Sequence, residues 1–367
     1  MTDPNRPVSA GAVDSPSPSS QRIAWIESAR GLGIALVVAG HVLHGLVFNG
    51  LLADAPILRF WDGQYYNPQM ALFFALSGMF AERWTSRSGR SFLADKGATL
   101  LYPYFVWAGL QGLVRIAVAV HAGRPAPVEY LVWLPVYPVM QFWFIYALFF
   151  VSLLHYALRR VGVGPAGCVV VALLLYGIRP WGDENMQVST MPLLRIFYFA
   201  PFYAIGAALG PRLASIREDG PAWPAVAVAV AGLAVVTASA RADVAPPIPL
   251  QMAVTLCGIA ALIATATVLR RAPALGFIRT LGRCSLEIYA IHMFAVEGVR
   301  PALTSVLHVR DPAVHLVVGV AVSLGGSMAF VRFCERYGVR YAFRLPKAGK
   351  AAAPRPSPRR EPSAVMA

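Results

Sequence analysis

The sequence predicts an all-α, polytopic integral membrane protein, a bundle of about ten transmembrane helices with cytoplasmic termini. The prediction rests on three observations: the composition, the spacing of the apolar runs and the distribution of Lys and Arg. Of the 367 residues, 57% are hydrophobic and only 14% are charged, whereas a soluble domain is about 45–50% apolar and about 25% charged. The composition therefore excludes a cytosolic enzyme, a disulfide-rich secreted domain and a disordered chain.

Apolar runs of suitable length recur along the whole chain. A helix needs about 20 apolar residues to cross the hydrocarbon core of a bilayer. Ten runs approach or reach this length, of which the second and the fifth are short. They lie at residues 32–51, 67–82, 98–120, 137–158, 165–181, 193–211, 222–240, 249–269, 284–300 and 313–333.

The two ends of the chain differ in composition from this membrane domain. Residues 1–21 are polar and rich in Pro and Ser, and residues 346–367 are rich in Pro, Ala and Arg. Both segments lack the apolar content needed to fold. We therefore expect a membrane domain at 22–345 between two disordered tails.

The basic residues indicate the orientation of the bundle. The net charge of +14 comes from 32 Lys and Arg against 18 Asp and Glu. With ten alternating spans, 24 of the 32 basic residues fall on the side of the N-terminus and 7 on the opposite side. This asymmetry follows the positive-inside rule and predicts a bacterial inner-membrane protein with cytoplasmic termini. The basic residues stand in short clusters between apolar runs, so the lipid bilayer is expected as a partner and nucleic acid is not.

The cysteines and the connecting segments limit where chemistry can occur. The four cysteines show no CxxC spacing and no neighbouring His at ligand spacing, so no metal site is predicted. The longest outer connection, residues 52–66, has about 15 residues and is too short for a soluble catalytic domain. Any reaction must therefore take place within the helices or at their two ends.

The first predicted span carries ionisable side chains on one face. An ionisable group within the bilayer costs at least about 2.5–3.5 kcal/mol. Arg30 and His41 are eleven positions apart, which at about 100° per residue places both on one stripe, about 16 Å apart along the axis. His44 lies one turn further, about 40° from that stripe. A snorkelling Arg and a hydrogen-bonded His would explain each residue alone, whereas two histidines on one stripe favour a functional site.

The segment IESARGLGIALVVAGH resembles the opening signature of the membrane acyltransferase-3 family. In that signature an acidic residue and an Arg precede a His, the positions that Glu27, Arg30 and His41 take here. Further elements follow in the family's order, namely LFFALSGMF, KGATLLYPYFVW, QFWFIYALFF, YFAPFYAIGAALG and SLEIYAIHMF. QFWFIYALFF is similar to the fucose 4-O-acetylase-like branch, whereas the carboxylate of the lipopolysaccharide-modifying branch is missing from residues 142–150. The resemblance covers about residues 23–335.

The resemblance implies an integral-membrane O-acyltransferase. Members of the family move an acyl group, usually acetyl from cytosolic acetyl-CoA, to a sugar hydroxyl of the cell envelope. The expected partners are therefore an acyl-CoA, as donor substrate rather than bound cofactor, and a glycan or lipid-linked sugar. A hydroxyl needs a base near neutral pH, so His41 is predicted to deprotonate the acceptor or to carry the acetyl group, with His44 beside it. Glu27 and Arg30 lie too far from His41 to orient it, and Arg30 is expected to meet the phosphates or the pantetheine end of CoA.

Several other side chains are candidates for substrate binding. Arg83 and Lys96 are predicted to hold the negative charge of the nucleotide, although topology alone also explains cations on this side. Trp143 and Tyr146 would stack on a sugar or on adenine, or serve as ordinary packing aromatics.

One face of the ninth predicted span is also polar. Ser285, Tyr289 and His292 follow each other at spacings of four and three, so they line one side of a helix. They would either bind substrate or hydrogen-bond neighbouring helices together.

A transporter or flippase of a polar solute is the alternative interpretation. It predicts broken helices and charges spread along a central path, whereas here Arg30, His41 and His44 share one helix. The sequence does not specify the acceptor sugar or its position, the acyl group, the choice between an acyl-histidine and direct transfer, or the oligomeric state.

Overall fold

The computed structural model describes residues 18–53, 67–138, 140–178, 192–216, 220–242 and 247–345, and these residues contain α-helices and no strand. The helices are α1 (Pro18–Phe48), α2 (Asn67–Gly78), α3 (Gly89–His121, with a π-helical turn at Gly97–Leu101), α4 (Trp143–Arg160), α5 (Pro165–Gly177), α6 (Pro192–Ala214), α7 (Trp223–Arg241), α8 (Ile248–Leu269), α9 (Gly276–Arg283), α10 (Ser285–Pro301) and α11 (Pro312–Arg336).

The multi-pass, all-α architecture predicted from the sequence is confirmed. Each predicted apolar run coincides with one of these helices, and six helices in the described part of the chain are long and apolar enough to cross a membrane, α1, α3, α4, α7, α8 and α11. The count of ten spans is not confirmed. Helices α2, α5 and α10 have 12, 13 and 17 residues, which at 1.5 Å per residue gives about 18–26 Å against a core of about 30 Å.

The two predicted tails lie mostly outside the described residues, which leave out 1–17 and 346–367. Helix α1 begins at Pro18, so its first residues fall within the segment 1–21 that the sequence predicts as a tail.

Proline and capping residues fix where several helices begin. Pro165 opens α5, and Pro312 opens α11, since proline has no N–H to lose at the first helical position. The side chain of Asp311 accepts a hydrogen bond from the Val314 N–H at 2.9 Å and caps α11. These signals divide a nearly continuous apolar sequence into separate helices.

Glycines allow helix α1 to touch α9 backbone to backbone. A Cβ atom added to Gly31 would lie 1.9 Å from the carbonyl oxygen of Ile278, and one added to Gly282 would lie 1.7 Å from that of Glu27. Helices in lipid associate through such close packing because lipid chains are as apolar as the helices themselves. The contact holds the part of α1 that carries Arg30.

Helices α2 and α6 cross in the same way at Gly78, where an added Cβ would lie 2.0 Å from the Tyr203 carbonyl oxygen. The LFFALSGMF element therefore contributes a close helix contact at Gly78. No general base lies beside Ser77 in the sequence, so Ser77 is not predicted to act as a nucleophile.

An aromatic core joins α2, α4, α6 and α10. The rings of Phe74 and Phe199 stack at 4.6 Å, and Phe144 meets Phe74 and Tyr289, each at a centroid distance of 5.2 Å. Aromatic pairs of this kind contribute about 0.5–1.5 kcal/mol each beyond their buried area. Through Tyr289 this core reaches α10, which carries His292.

We expect Gly282→Ala to destabilise the protein because its methyl group would overlap the backbone of α1. Overpacking of this kind costs about 1–3 kcal/mol or more, so the melting temperature in detergent, followed by the loss of monodisperse protein on heating, should fall. Gly298→Ala is the matched control, since nothing lies within 4 Å of its Cβ position. Equal melting of the two variants would contradict the backbone contact.

Candidate active site

Two histidines from distant parts of the chain meet between α1 and α10. The ring centroids of His41 and His292 are 5.2 Å apart, with the ring planes tilted by 40°. His292 is fully buried and His41 is half-buried. The sequence places these residues in separate spans and predicts different roles for them, whereas the structure makes them neighbours.

The hydrogen bonds of His292 determine which nitrogen carries the proton. Its Nδ1 lies 3.1 Å from the carbonyl oxygen of Ile288 and 2.9 Å from that of Tyr289. Since carbonyl oxygens only accept, we assign the proton to Nδ1, which leaves a lone pair on Nε2. This buried Nε2 has no hydrogen-bond partner among the described residues. It is therefore equipped to take a proton from another molecule.

His44 makes a local contact on its own helix. Its Nδ1 lies 2.7 Å from the carbonyl oxygen of Gly40, to which it donates.

Tyr289 and His292 lie together on the predicted polar face of α10. The Tyr289 ring is 5.9 Å from the His292 ring, and Tyr289 is buried. Ser285 is the half-buried first residue of α10, about 10 Å along the axis from His292. Tyr289 and His292 therefore lie close together, whereas Ser285 stands apart at the first residue of the helix.

A second group of predicted residues gathers around Arg30, in the N-terminal half of α1. The guanidinium groups of Arg30 and Arg83 lie 6.0 and 5.2 Å from the ring centre of Phe80. Arg87 and Lys96 lie 4.9 and 5.8 Å from the ring of Trp84. We call Arg30, Arg83, Arg87 and Lys96 the cation cluster.

The cation cluster gathers four positive charges around two aromatic rings. Like charges repel each other, and an anion bound among them would relieve the repulsion. Arg30, Arg83 and Lys96 are sequence-predicted site residues, whereas the supporting rings of Phe80 and Trp84 carry no signal in the sequence that identifies them.

Glu27 lies three residues before Arg30 on α1 and interacts electrostatically with its guanidinium. Its Oε2 lies 3.9 Å from Nη1 of Arg283, whose side chain is 58% exposed. An exposed pair at this distance contributes little to stability.

The loop that carries Arg83 and Arg87 is held by the end of α4. Arg159 donates two hydrogen bonds to Oε2 of Glu82, at 3.1 Å from Nε and 2.9 Å from Nη2. His155 Nε2 lies 3.3 Å from Oε1 of the same carboxylate. We call this arrangement of Glu82, His155 and Arg159 the Glu82 bridge.

Tyr156 adds two further contacts between α4 and this region. Its hydroxyl donates to the Arg87 carbonyl oxygen at 2.8 Å, and its ring stacks on Phe92 at 4.2 Å. Sequence reasoning missed the Glu82 bridge because its partners are more than 70 positions apart and no local spacing connects them.

Trp143 and Tyr146 make contacts within the protein. The Trp143 ring stacks on Phe199 at 5.3 Å and lies under the guanidinium of Arg195 at 4.4 Å. The Tyr146 hydroxyl donates to the Pro135 carbonyl oxygen at 3.1 Å. Both side chains are buried, so these contacts account for the two aromatics, and stacking on a substrate stays a prediction.

The fold and the two clusters define a class: a multi-pass, all-α membrane protein with a partly buried histidine pair and a separate cluster of cations. The chain belongs to the acyltransferase-3 family, whose model, described as an acyltransferase domain, matches residues 23–332. This match confirms the family resemblance seen in the sequence and favours an acyltransferase over the transporter alternative.

A curated relative extends this comparison. The chain is 26% identical over 213 residues to nodulation protein NolL of Mesorhizobium japonicum, a match that covers 56% of this chain. The chain spans about half the length of that relative, 52%. No solved structure matches the chain.

We expect Glu82→Gln to loosen the loop that carries Arg83 and Arg87 of the cation cluster. The substitution removes the charge that Arg159 and His155 share, and hydrogen bonds to charged groups contribute about 1.5–3 kcal/mol, reduced here because the Glu82 side chain is 35% exposed. The melting temperature should fall, and backbone amides of residues 82–92 should exchange hydrogen faster. Glu129→Gln, at an exposed residue, is the control. Unchanged exchange at 82–92 would contradict the bridging role.

Proposed function

We propose that this chain is an O-acyltransferase that moves acetyl from cytosolic acetyl-CoA to a hydroxyl of a cell-envelope glycan or lipid-linked sugar. The observation that carries the proposal is the His41–His292 pair, in which a buried imidazole Nε2 lacks a partner among the described residues. A base of this kind suits a hydroxyl acceptor, whose proton must leave as the new ester forms. In the proposed orientation the chain lies in the bacterial inner membrane with cytoplasmic termini.

The cation cluster is the proposed site for the nucleotide part of the donor. Arginine forms paired hydrogen bonds to phosphate oxygens, and lysine adds a point charge. The rings of Phe80 and Trp84 lie beneath these cations and offer apolar faces beside the phosphates. On the proposed topology this end of the bundle faces the cytosol, where acyl-CoA is found.

Helix α1 connects the proposed donor site with the base. Arg30 of the cation cluster and His41 share one face of α1, about 16 Å apart along the axis. The pantetheine arm of CoA is an extended chain of comparable reach. A donor bound through its phosphates at the cluster would therefore present its thioester carbonyl at the histidine pair.

The proposed reaction exchanges a thioester for an ester. An imidazole of the His41–His292 pair takes the proton of the acceptor hydroxyl. The hydroxyl oxygen attacks the thioester carbonyl carbon, and the carbon–sulfur bond breaks. The departing CoA thiolate then receives the proton from the imidazolium. Alternatively, an imidazole nitrogen attacks first and carries the acetyl group to the hydroxyl, which would release CoA before acceptor is added.

We expect His41→Ala and His292→Ala each to abolish transfer, because each removes one imidazole of the histidine pair. With purified protein in proteoliposomes, labelled acetyl-CoA and an isolated envelope glycan fraction, labelling of the glycan should fall by about 100-fold or more, the usual contribution of a positioned base. His121→Ala, at an exposed histidine at the end of α3, should transfer normally. Undiminished labelling by a normally inserted His41→Ala protein would refute the catalytic role.

We also expect Arg83→Gln and Lys96→Gln to weaken donor binding. Each substitution removes one cation, so KM for acetyl-CoA should rise about 10-fold while kcat stays near the wild-type value. The salt dependence of KM should become shallower because fewer charges act on the phosphates. Arg90→Gln, an exposed cation nearby in the chain, is the control. If the control raises KM equally, the cluster is not a specific site.

A further inference from the structure

A short segment that follows α11 folds back onto the first half of α3. Helix α11 ends at Arg336, and the chain turns at Gly338, whose φ of +74° lies in the left-handed region that favours glycine. Residues 340–345 then lie along α3, the helix that carries Lys96 of the cation cluster. We call residues 340–345 the strap.

The strap accepts two hydrogen bonds from side chains of α3. The Tyr102 hydroxyl donates to the Tyr341 carbonyl oxygen at 2.7 Å, and the Trp107 Nε1–H donates to that of Ala342, also at 2.7 Å. The Trp107 ring stacks on the ring of Phe343, with the centroids 5.3 Å apart and the planes tilted by 21°. The bonded residues are 239 and 235 positions apart in the sequence, so the strap is a tertiary contact of the bundle.

The backbone of the strap also completes a hydrogen bond that α3 does not make by itself. In the π-helical turn of α3, the Tyr102 N–H donates to the Gly97 carbonyl oxygen, which leaves the Ala98 carbonyl oxygen without that donor. The next residue of the chain, Pro103, has no N–H to offer. The Leu345 N–H donates to the Ala98 oxygen at 3.3 Å. The strap therefore supplies a partner to a backbone group that would otherwise need one.

Contacts of the strap lie on both sides of Lys96 in the sequence. Nη2 of Arg344 is 3.4 Å from Oδ1 of Asp95, the residue before Lys96, and the bond to Ala98 follows two residues after it. The Lys96 ammonium group itself lies 5.8 Å from the ring of Trp84 in the cation cluster. The backbone that carries this ammonium group is thus held by the strap.

Helix α4 anchors the same part of α3 from another side. Phe92 lies one helical turn before Lys96, and its ring stacks on Tyr156 of α4 at 4.2 Å. The π-helical turn that follows Lys96 is a rare element, of a kind found mostly as single turns and often at functional sites. Lys96 therefore stands between an anchor on α4 and an irregular turn that the strap supports.

We propose that the strap positions Lys96 for the acyl donor by holding the π-helical turn of α3, so that the ammonium group stays at the cation cluster. The inference rests on the proposed function, in which this cluster binds the phosphates of acetyl-CoA. The strap residues act through Lys96 and are positioning residues. Without the strap the ammonium group is still present, but it has to be ordered when the donor binds, and that ordering weakens donor binding.

The test measures donor and acceptor kinetics in proteoliposomes with labelled acetyl-CoA and the isolated envelope glycan fraction. A chain that ends after Val339 lacks the strap, and its KM for acetyl-CoA should rise about 5-fold, the effect of ordering one long side chain on binding. Its kcat and its KM for the glycan should stay near the wild-type values. A chain that ends after Leu345 keeps the strap and is the control, with all three values unchanged.

A second variant leaves every charge and every residue of the strap in place. Tyr102→Phe combined with Trp107→Phe removes both side-chain donors to the strap and retains aromatic rings, so KM for acetyl-CoA should rise in the same way. Backbone amides of residues 96–102 should exchange hydrogen faster than in the wild type. Tyr337→Phe, which removes an exposed hydroxyl at the end of α11, is the matched control and should behave as wild type.

A double-mutant cycle separates positioning of Lys96 from general support of the fold. In a Lys96→Gln protein, loss of the strap should raise KM for acetyl-CoA no further, because the side chain that it positions is already absent. Additive increases in KM, or variants that melt earlier but keep the wild-type KM, would overturn the positioning role alone. A wild type that transfers no acetyl to any envelope glycan would overturn the proposed function, and the positioning role with it.

Discussion

The packing of α1 against its neighbours is the constraint on which the candidate site depends. Gly31 and Gly282 let α1 and α9 touch through their backbones, and the contact between His41 and His292 lies further along the same helix. The hydrophobic effect does not drive helices together within lipid, so close packing of this kind determines their arrangement. A shift of α1 along its axis would move Arg30 and His41 together, since both belong to one rigid helix.

Hydrogen bonds hold both parts of the candidate site in place, the histidine pair and the loop that carries Arg83 and Arg87. Carbonyl oxygens one turn back on α10 fix the ring of His292 and its proton, which leaves Nε2 as the acceptor. The Glu82 bridge and Tyr156 fix the loop that carries Arg83 and Arg87. Catalysis benefits from groups that are already oriented before the substrate arrives, because no reorganisation is then needed during the reaction.

The sequence predicts the parts of this site that lie on one helix and fails for those that join several. Periodicity alone places Arg30 and His41 on one face, and motif resemblance adds Glu27 and identifies the family. The pairing of His41 with His292 links residues about 250 positions apart, and no local pattern records it. The count of ten spans stays a prediction, because apolar composition measures hydrophobicity and does not fix the length of helices such as α2 and α5.

The arrangement of charge separates two parts of the proposed mechanism. Four cations surround two aromatic rings beside the N-terminal half of α1, and His41 lies about 16 Å beyond Arg30 on the same helix. Several phosphates need several cations. In the proposed mechanism the nucleotide therefore stays at the cation cluster, and the acceptor hydroxyl meets the histidine pair. Only the acyl group has to pass the histidine pair, so the strongly hydrated phosphates never enter the apolar interior.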